Sequence, residues 1–246
     1  MYTTAYQLYN KISAYDNLVS KEEIYKAYNI SKKAHANQYR GSGEEYFTHP
    51  LAVADYLINM KLDSSTIITA LLHDVVEDSE ITLENIKEEF GDEISKLVDG
   101  VTKLSKLDIR FGFAQAENFR KLFLASSNDI RVLLVKLADR LHNIRTIEGI
   151  KNNEKKSRIC YETLEIFAPL AERLGINAIQ RELEDRCFAV IKPETRDSIL
   201  KRLKLIYSKD ELNIPFITKE IEDFLKKNNV NCTITGRIKS SYSIWK

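Results

Sequence analysis

Apolar residues recur along this chain mostly at the three- and four-residue spacing of helices rather than the two-residue spacing of strands. The stretch Thr66–Asp78, T-I-I-T-A-L-L-H-D-V-V-E-D, splits most cleanly. Wound at about 100° per residue, it gathers Ile67, Ile68, Leu71, Leu72, Val75 and Val76 on one arc and Thr66, Thr69, Ala70, His73, Asp74 and Glu77 on the other, with Asp78 at the edge. An ordinary amphipathic helix sets Lys, Gln and Glu opposite its apolar stripe. Here small residues, an imidazole and carboxylates stand there instead. Asp74 lies one turn from both Glu77 and Asp78, so their like charges repel unless a proton or a cation intervenes. A divalent metal is the simplest remedy, and a solvated acidic helix end is the alternative that this stretch alone leaves open.

The same periodicity predicts helices over 3–15 and 21–37, the second opening on Ser20-Lys-Glu-Glu23 with the spacing of a capping box. Arg40-Gly-Ser-Gly-Glu44 reads as a loop, and Pro50 suits the first turn of a helix running to about Met60, with His49 at its entrance. Asp63 and the Ser-Ser-Thr after it offer N-caps for the central helix. Helices follow over 82–90, stopped by Gly91, and 93–104, then a loop over Leu107–Gly112, a helix over 114–125, and a long helix from Ile130 to Ile147 capped by Asn128 or Asp129.

On that long helix Ile130, Leu133, Leu134, Leu137, Ala138, Leu141 and Ile144 form one arc, opposite Lys136, Asp139, Asn143 and Thr146, with Val132 and Val135 among them. A solvated stripe seldom carries two valines. Asp139 is therefore expected in a partly buried cleft, where an unpaired carboxylate is costly and a metal offsets the cost; an exposed salt bridge to Lys136 or Arg140 suits the pattern equally well. Three more helices are predicted over 154–172, interrupted by Pro169, then 177–191 and 194–207. Only Cys232–Arg237 alternates as a strand does.

Composition narrows the classes. Only 8 Gly and 4 Pro occur among 246 residues, which favours an α-rich architecture. Lys and Arg total 37 against 36 Asp and Glu, so no global field attracts DNA. The N-terminus carries no cationic region ahead of an apolar core, so no signal peptide is expected, and no apolar run approaches the roughly 20 residues of a membrane span. Cys160, Cys187 and Cys232 are odd in number and lack C-x-x-C spacing, which suits reduced thiols in a cytoplasm.

His49, the adjacent His73 and Asp74, and Asp139 make a mixed imidazole and carboxylate donor set suited to Mn²⁺, Fe²⁺ or Zn²⁺, with its oxygen content favouring Mn²⁺. His35 precedes the loop and His142 sits about 60° around its helix from Asp139, so both are expected to be structural or exposed. A metal with open positions lowers the pKa of water and directs it at phosphorus. Glu77 and Asp78, one turn on, set a carboxylate nearby to take or return a proton, and Arg40 offers planar paired donors to a phosphate or a base. The chemistry indicated is metal-assisted hydrolysis of a phosphate ester or pyrophosphate.

The pattern His49…His73-Asp74…Asp139 is similar to the ligand pattern of the HD phosphohydrolase superfamily. More closely, R-G-S-G-E-E-Y-F-T-H-P, A-L-L-H-D-V-V-E-D, L-V-D-G-V-T-K-L, Q-A-E-N-F-R-K, D-I-R-V-L-L-V-K-L-A-D-R-L-H-N-I-R-T and E-T-L-E-I-F-A-P-L-A-E-R-L-G-I, in this order, resemble the N-terminal half of the RelA/SpoT (Rel) alarmone synthetase/hydrolase family. The resemblance implies an all-α HD-domain helical bundle over 1–153, central linker helices over 154–195, and over 196–246 a short incomplete α/β segment that begins a synthetase domain. It implies a guanosine-3′,5′-bis(diphosphate) 3′-pyrophosphohydrolase of the stringent response, dependent on Mn²⁺, which removes pyrophosphate from (p)ppGpp to leave GDP or GTP.

Carried over by position, His49, His73, Asp74 and Asp139 would bind the metal, Glu77 and Asp78 would be the catalytic acidic pair, and Arg40, Ser42, Asn143 and Thr146 would contact nucleotide. The family's hydrolases usually carry Lys where this chain has Gly41, which removes a cation from the pocket mouth. The family's magnesium-binding Asp and catalytic Glu for synthesis fall beyond Lys246, so no alarmone synthesis is expected. Neither is ribosome binding without the family's C-terminal modules, nor any DNA or membrane partner. Another HD-type nucleotide phosphohydrolase and a catalytically silent alarmone-binding remnant are the alternatives.

Overall fold

The computed structural model describes residues 4–106, 129–207, 214–236 and 238–246. The loop expected over Leu107–Gly112, the helix over 114–125, the cap at Asn128 and Arg237 lie outside them. The chain divides into two compact units, Met1–Leu183 and Glu184–Lys246. The fold is all-α: among the described residues no strand forms, and the sole β-bridge joins Tyr39 to Glu45 across the turn of the glycine loop.

In the first unit, α1 (Ala5–Ser13), α2 (Lys21–Ala34) and α3 (Thr48–Asn59) lead to α4 (Ser64–Leu72) and the single turn α5 (Val75–Asp78). Then come α6 (Leu83–Lys106), α7 (Arg131–Arg145), a 3₁₀ turn (Ile147–Gly149), α8 (Asn153–Glu162), a π-helical turn (Thr163–Phe167) and α9 (Ala168–Arg173). The caps explain several boundaries. Ser20 Oγ accepts from the Glu23 N–H at 3.2 Å, and Asp63 Oδ1 accepts from the Thr66 N–H at 2.7 Å. α6 bends at Gly91, whose φ of 85° a residue with a side chain rarely adopts. Ahead of Pro169 the chain widens into the π turn, which absorbs a position where proline cannot donate an N–H.

α4 is the centre of this unit, packed against α2, α3, α6 and α7. Every residue from Thr66 to His73 is buried, so the arc read from sequence as polar faces protein rather than water. Its small residues are what permit this: Thr69 returns its hydroxyl to the Ser65 carbonyl at 2.8 Å, and neighbouring helices approach closely. α7 is likewise covered on both faces, with Leu133, Leu137, Leu141 and Ile144 on one and Val132, Val135 and Asp139 on the other, all buried.

Two expectations are corrected. The helix expected over Thr66–Asp78 is interrupted at His73 and Asp74. The His73 Nδ1 lies 2.7 Å from the Ala70 carbonyl, the acceptor a continuing helix would offer to the Asp74 N–H, and Asp74 sits at φ −97° and ψ −8°, off the helical minimum. The strand expected over Cys232–Arg237 is not formed over its described residues, because a strand is held by pairing and no partner strand exists among the described residues.

α10 (Asn177–Ile191) runs across the division between the units. The second unit continues with α11 (Pro193–Tyr207), α12 (Ile214–Lys227) and α13 (Ser241–Trp245), where Tyr242 and Trp245 pack on Phe188 with ring centroids 5.7 and 5.2 Å away. No described helix is long and apolar enough to cross a membrane.

Candidate metal centre

The break between α4 and α5 aims His73 and Asp74 inward together. His49, in the first turn of α3, meets them there: one ligand atom from each of His49, His73 and Asp74 lies within 4.8 Å of the others. Asp74 Oδ2 is the shared point, 3.2 Å from His73 Nε2 and 3.6 Å from His49 Nε2. α7 brings the fourth expected ligand, with Asp139 Oδ1 3.2 Å from His49 Nε2. Of the two readings of Asp139 left open by sequence, the buried one holds: it faces the site and is only 4% exposed, and its pairing with Lys136 at 2.7 Å is made inside the protein rather than on an exposed face.

Charge is concentrated here among side chains that are largely buried. Burial opposes ionisation of both carboxylates, yet His73 outweighs it at Asp74, as Lys136 and His49 do at Asp139, so both are held below the usual carboxylate range. Burial also works against a charge on His73, but Asp74, Asp139 and the Ala70 carbonyl prevail and lift its pKa to about 9. His49 is driven the other way, chiefly by burial. Tyr46 donates its hydroxyl to Asp74 Oδ2 at 2.8 Å; burial and Asp74 push its own pKa up, which keeps it a donor.

Two features of the rings fit a divalent cation. When the neutral His73 ring donates from Nδ1 to the Ala70 carbonyl, its lone pair is left on Nε2, a fully buried atom that makes no hydrogen bond and stands 3.2 Å from Asp74 Oδ2, so two electron-pair donors converge where a cation would sit. His49 has acceptors on one side, Asp74 and Asp139, and an imidazole on the other, so a cation at Nε2 satisfies a ring that burial keeps from double protonation. With two imidazoles and two carboxylates and no thiolate, the donor set is that of Mn²⁺, Fe²⁺ or Zn²⁺.

A cleft of about 290 Å³ opens beside Asp139, lined among others by Arg40, Ser42, Lys136, Asn143, Thr146 and Lys155. All four residues expected to contact nucleotide line it. Arg40 Nη2 donates to Asn143 Oδ1 at 2.9 Å and to Thr146 Oγ1 at 3.1 Å, while Asn143 Nδ2 donates to Asp139 Oδ1 at 2.6 Å. One chain of hydrogen bonds therefore runs from the cleft to the centre. Glu77 and Asp78 lie on the exposed turn α5, and burial and Asp74 raise the Glu77 carboxyl above its ordinary value.

Gly41 is explained by its neighbour across the cleft rim. A Cβ there would stand 2.7 Å from the Gly149 carbonyl oxygen, and one on Gly149 would stand 2.9 Å from the Ser42 nitrogen. Two backbones pass at a distance that excludes side chains, so a lysine at 41 would have to part them. Arg40 and Lys155 keep positive charge on the same walls.

Sequence alone placed His142 outside the site, yet its Nδ1 lies 2.7 Å from His49 Nδ1 and its ring is half-buried against that of His49. Its position three residues after Asp139, adjacent on a helix surface, was the available signal. Tyr46 was also not singled out, and Lys136 only as a salt-bridge partner of Asp139. His35 is structural, buried and bonded through Nδ1 to Gln38 Oε1 at 2.9 Å.

Residues 27–177 match a model of the HD domain. Among curated relatives, the GTP pyrophosphokinase rsh of Brucella ovis is 43% identical over 242 residues, taking in 98% of this chain and 32% of its own. The GTP pyrophosphokinases of Streptomyces coelicolor and Myxococcus xanthus are 45% and 46% identical, each over 91% of this chain and over 26% and 30% of their own. The chain thus spans less than a third of the length of these relatives. A solved structure titled "A metazoan ortholog of SpoT hydrolyzes ppGpp and plays a role in starvation responses" superposes with a TM-score of 0.54 at 22% identity, over 69% of this chain and 96% of that one, a likeness of fold. The HD-domain match takes in more than half of the chain, and with relatives of the RelA/SpoT type along almost its whole length, this protein belongs to the HD-domain family in its RelA/SpoT branch.

Proposed function

We propose that this chain hydrolyses (p)ppGpp at its 3′-pyrophosphate, leaving GDP or GTP, with Mn²⁺ as the metal. The observation that carries the reading is the convergence of His49, His73, Asp74 and Asp139 beside a cleft in which Arg40 is tethered to Asn143 and Thr146. Two aspartates and two imidazoles would hold the cation. When bound, it supplies Lewis acidity toward a phosphate oxygen and makes water easier to deprotonate.

The chain's own groups do the rest. Asn143 holds Asp139 at 2.6 Å and Tyr46 holds Asp74 at 2.8 Å, which orients both carboxylates. Arg40 and Lys155 neutralise phosphate charge at the cleft wall. Glu77, its pKa raised, takes a proton from the attacking water and returns it to the leaving 3′ oxygen, with Asp78 as its acidic partner. Attack at the phosphorus on the 3′ oxygen breaks that P–O bond and releases pyrophosphate.

The relatives named for pyrophosphokinase activity and the ppGpp-hydrolysing ortholog both handle guanosine phosphates by title, which supports this substrate class. Incubation with ppGpp and Mn²⁺ is expected to release GDP and pyrophosphate. Absence of GDP at metal saturation rejects the proposal, and equal turnover across a panel of unrelated nucleotides replaces it with a broader HD-type phosphohydrolase.

A further inference from the structure

His49 and His142 face each other through their Nδ1 atoms, 2.7 Å apart. At that distance one nitrogen carries a proton and the other a lone pair. The pair alone does not say which. Arg40 decides it: its Nη1 lies 3.4 Å from the same Nδ1 of His142, and a guanidinium has donors only. A nitrogen approached by that donor is an acceptor. His142 then carries its proton on Nε2, and His49 supplies the N–H between the rings. With Nδ1 protonated, the neutral His49 ring has its lone pair on Nε2, the atom 3.2 Å from Asp139 Oδ1 and 3.6 Å from Asp74 Oδ2.

From this geometry we propose that His142 is a positioning residue: it holds His49 in the Nδ1–H tautomer that leaves Nε2 free for the metal, and Arg40 selects that tautomer. The inference rests on the metal site of the proposed function. It gives Arg40 a second task, because the guanidinium that reaches Asn143 and Thr146 through Nη2 reaches His142 through Nη1. Arg40, which lines the cleft, and His49, which faces the metal, are thereby joined through His142, whose ring centroid is 4.9 Å from that of His49. Partners of this kind set ligand orientation and basicity, and their loss costs about 10–100-fold in metal affinity.

The test is calorimetric titration of the whole chain with Mn²⁺ for wild type, His142→Ala and His142→Asn, with ¹⁵N spectra of the histidine rings in the metal-free and Zn²⁺-loaded protein. His142→Ala is expected to weaken Mn²⁺ binding about 10–100-fold, and His142→Asn, which offers an amide oxygen near the lost Nδ1, to recover most of it. The spectra are expected to report Nε2–H on His142 and, with Zn²⁺ bound, Nδ1–H on His49. Unchanged affinity in His142→Ala overturns the proposal, as does equal weakening in both variants, which would reduce His142 to a space-filling role. A proton on His142 Nδ1 overturns it too. If His142→Ala does not fold, the Asn variant and the spectra decide. Failure of the wild type to bind Mn²⁺ would instead reject the proposed function, while the tautomer in the metal-free spectra still rules on the Arg40–His142 contact.

Discussion

At the scale of single residues, the proposed roles separate by measurement. Asp139→Ala and His73→Ala are expected to abolish Mn²⁺ binding and turnover together, whereas Glu77→Gln keeps the metal and slows hydrolysis by about 10²–10⁴-fold, the usual worth of a positioned proton carrier. Calorimetry beside a GDP assay distinguishes them, and metal loss in Glu77→Gln would contradict the division. His73 also sets a pH dependence. Its pKa of about 9 exceeds the ordinary 6.5, so the charged ring stabilises the metal-free fold below about pH 6.5 and that contribution fades as pH rises through about 9. In the proposed ligand role the imidazole must be neutral, so metal binding would displace this proton. Mn²⁺ affinity is expected to climb about tenfold per pH unit until about pH 9 and then level; a flat profile would show that His73 is not a ligand. The histidines and aspartates were legible in sequence because their spacing matched a known pattern. His142 was not, because angle around an isolated helix says nothing about what a neighbouring helix brings to that side.

At the scale of elements, junctions matter more than helix interiors. The end of α4 is set by competition for one carbonyl between the His73 ring and the next backbone N–H, a contest that periodicity cannot register. The start of α4 is set by Asp63, which caps Thr66 and lies 3.4 Å from Arg131 on α7. Asp63→Ala is expected to cost about 1 kcal/mol, chiefly through the lost cap, read as a lowered thermal midpoint. At the cleft rim, Gly41→Ala meets the Gly149 carbonyl and is expected to cost about 1–3 kcal/mol. Gly41→Lys is accordingly expected to raise KM rather than tighten substrate, despite its added charge. A lower KM in that variant would mean that the two rims separate freely.

At the scale of the whole molecule, the first unit is organised around a helix buried on every side, and the centre sits where that helix breaks beneath α3 and α7. The four proposed ligands come from three segments, so a bound cation would be a cross-link of the native state alone. At a free Mn²⁺ concentration of 100 Kd the fold is expected to gain about 2.7 kcal/mol, seen as a higher thermal midpoint in wild type and not in Asp139→Ala. Equal shifts in both would place the stabilising metal elsewhere.

Sequence by itself determined the helical class, most element positions, and which imidazoles and carboxylates could serve a metal, because these follow from local periodicity and from residue chemistry. Tertiary structure decided that the polar arc of the central helix is interior, that Asp139 is both paired and inward, that Gly41 answers Gly149, and that His142 backs His49. Each of these depends on what a distant segment places within a few ångströms. A strand over Cys232–Arg237 depended in the same way on a partner, and no segment among the described residues supplies one.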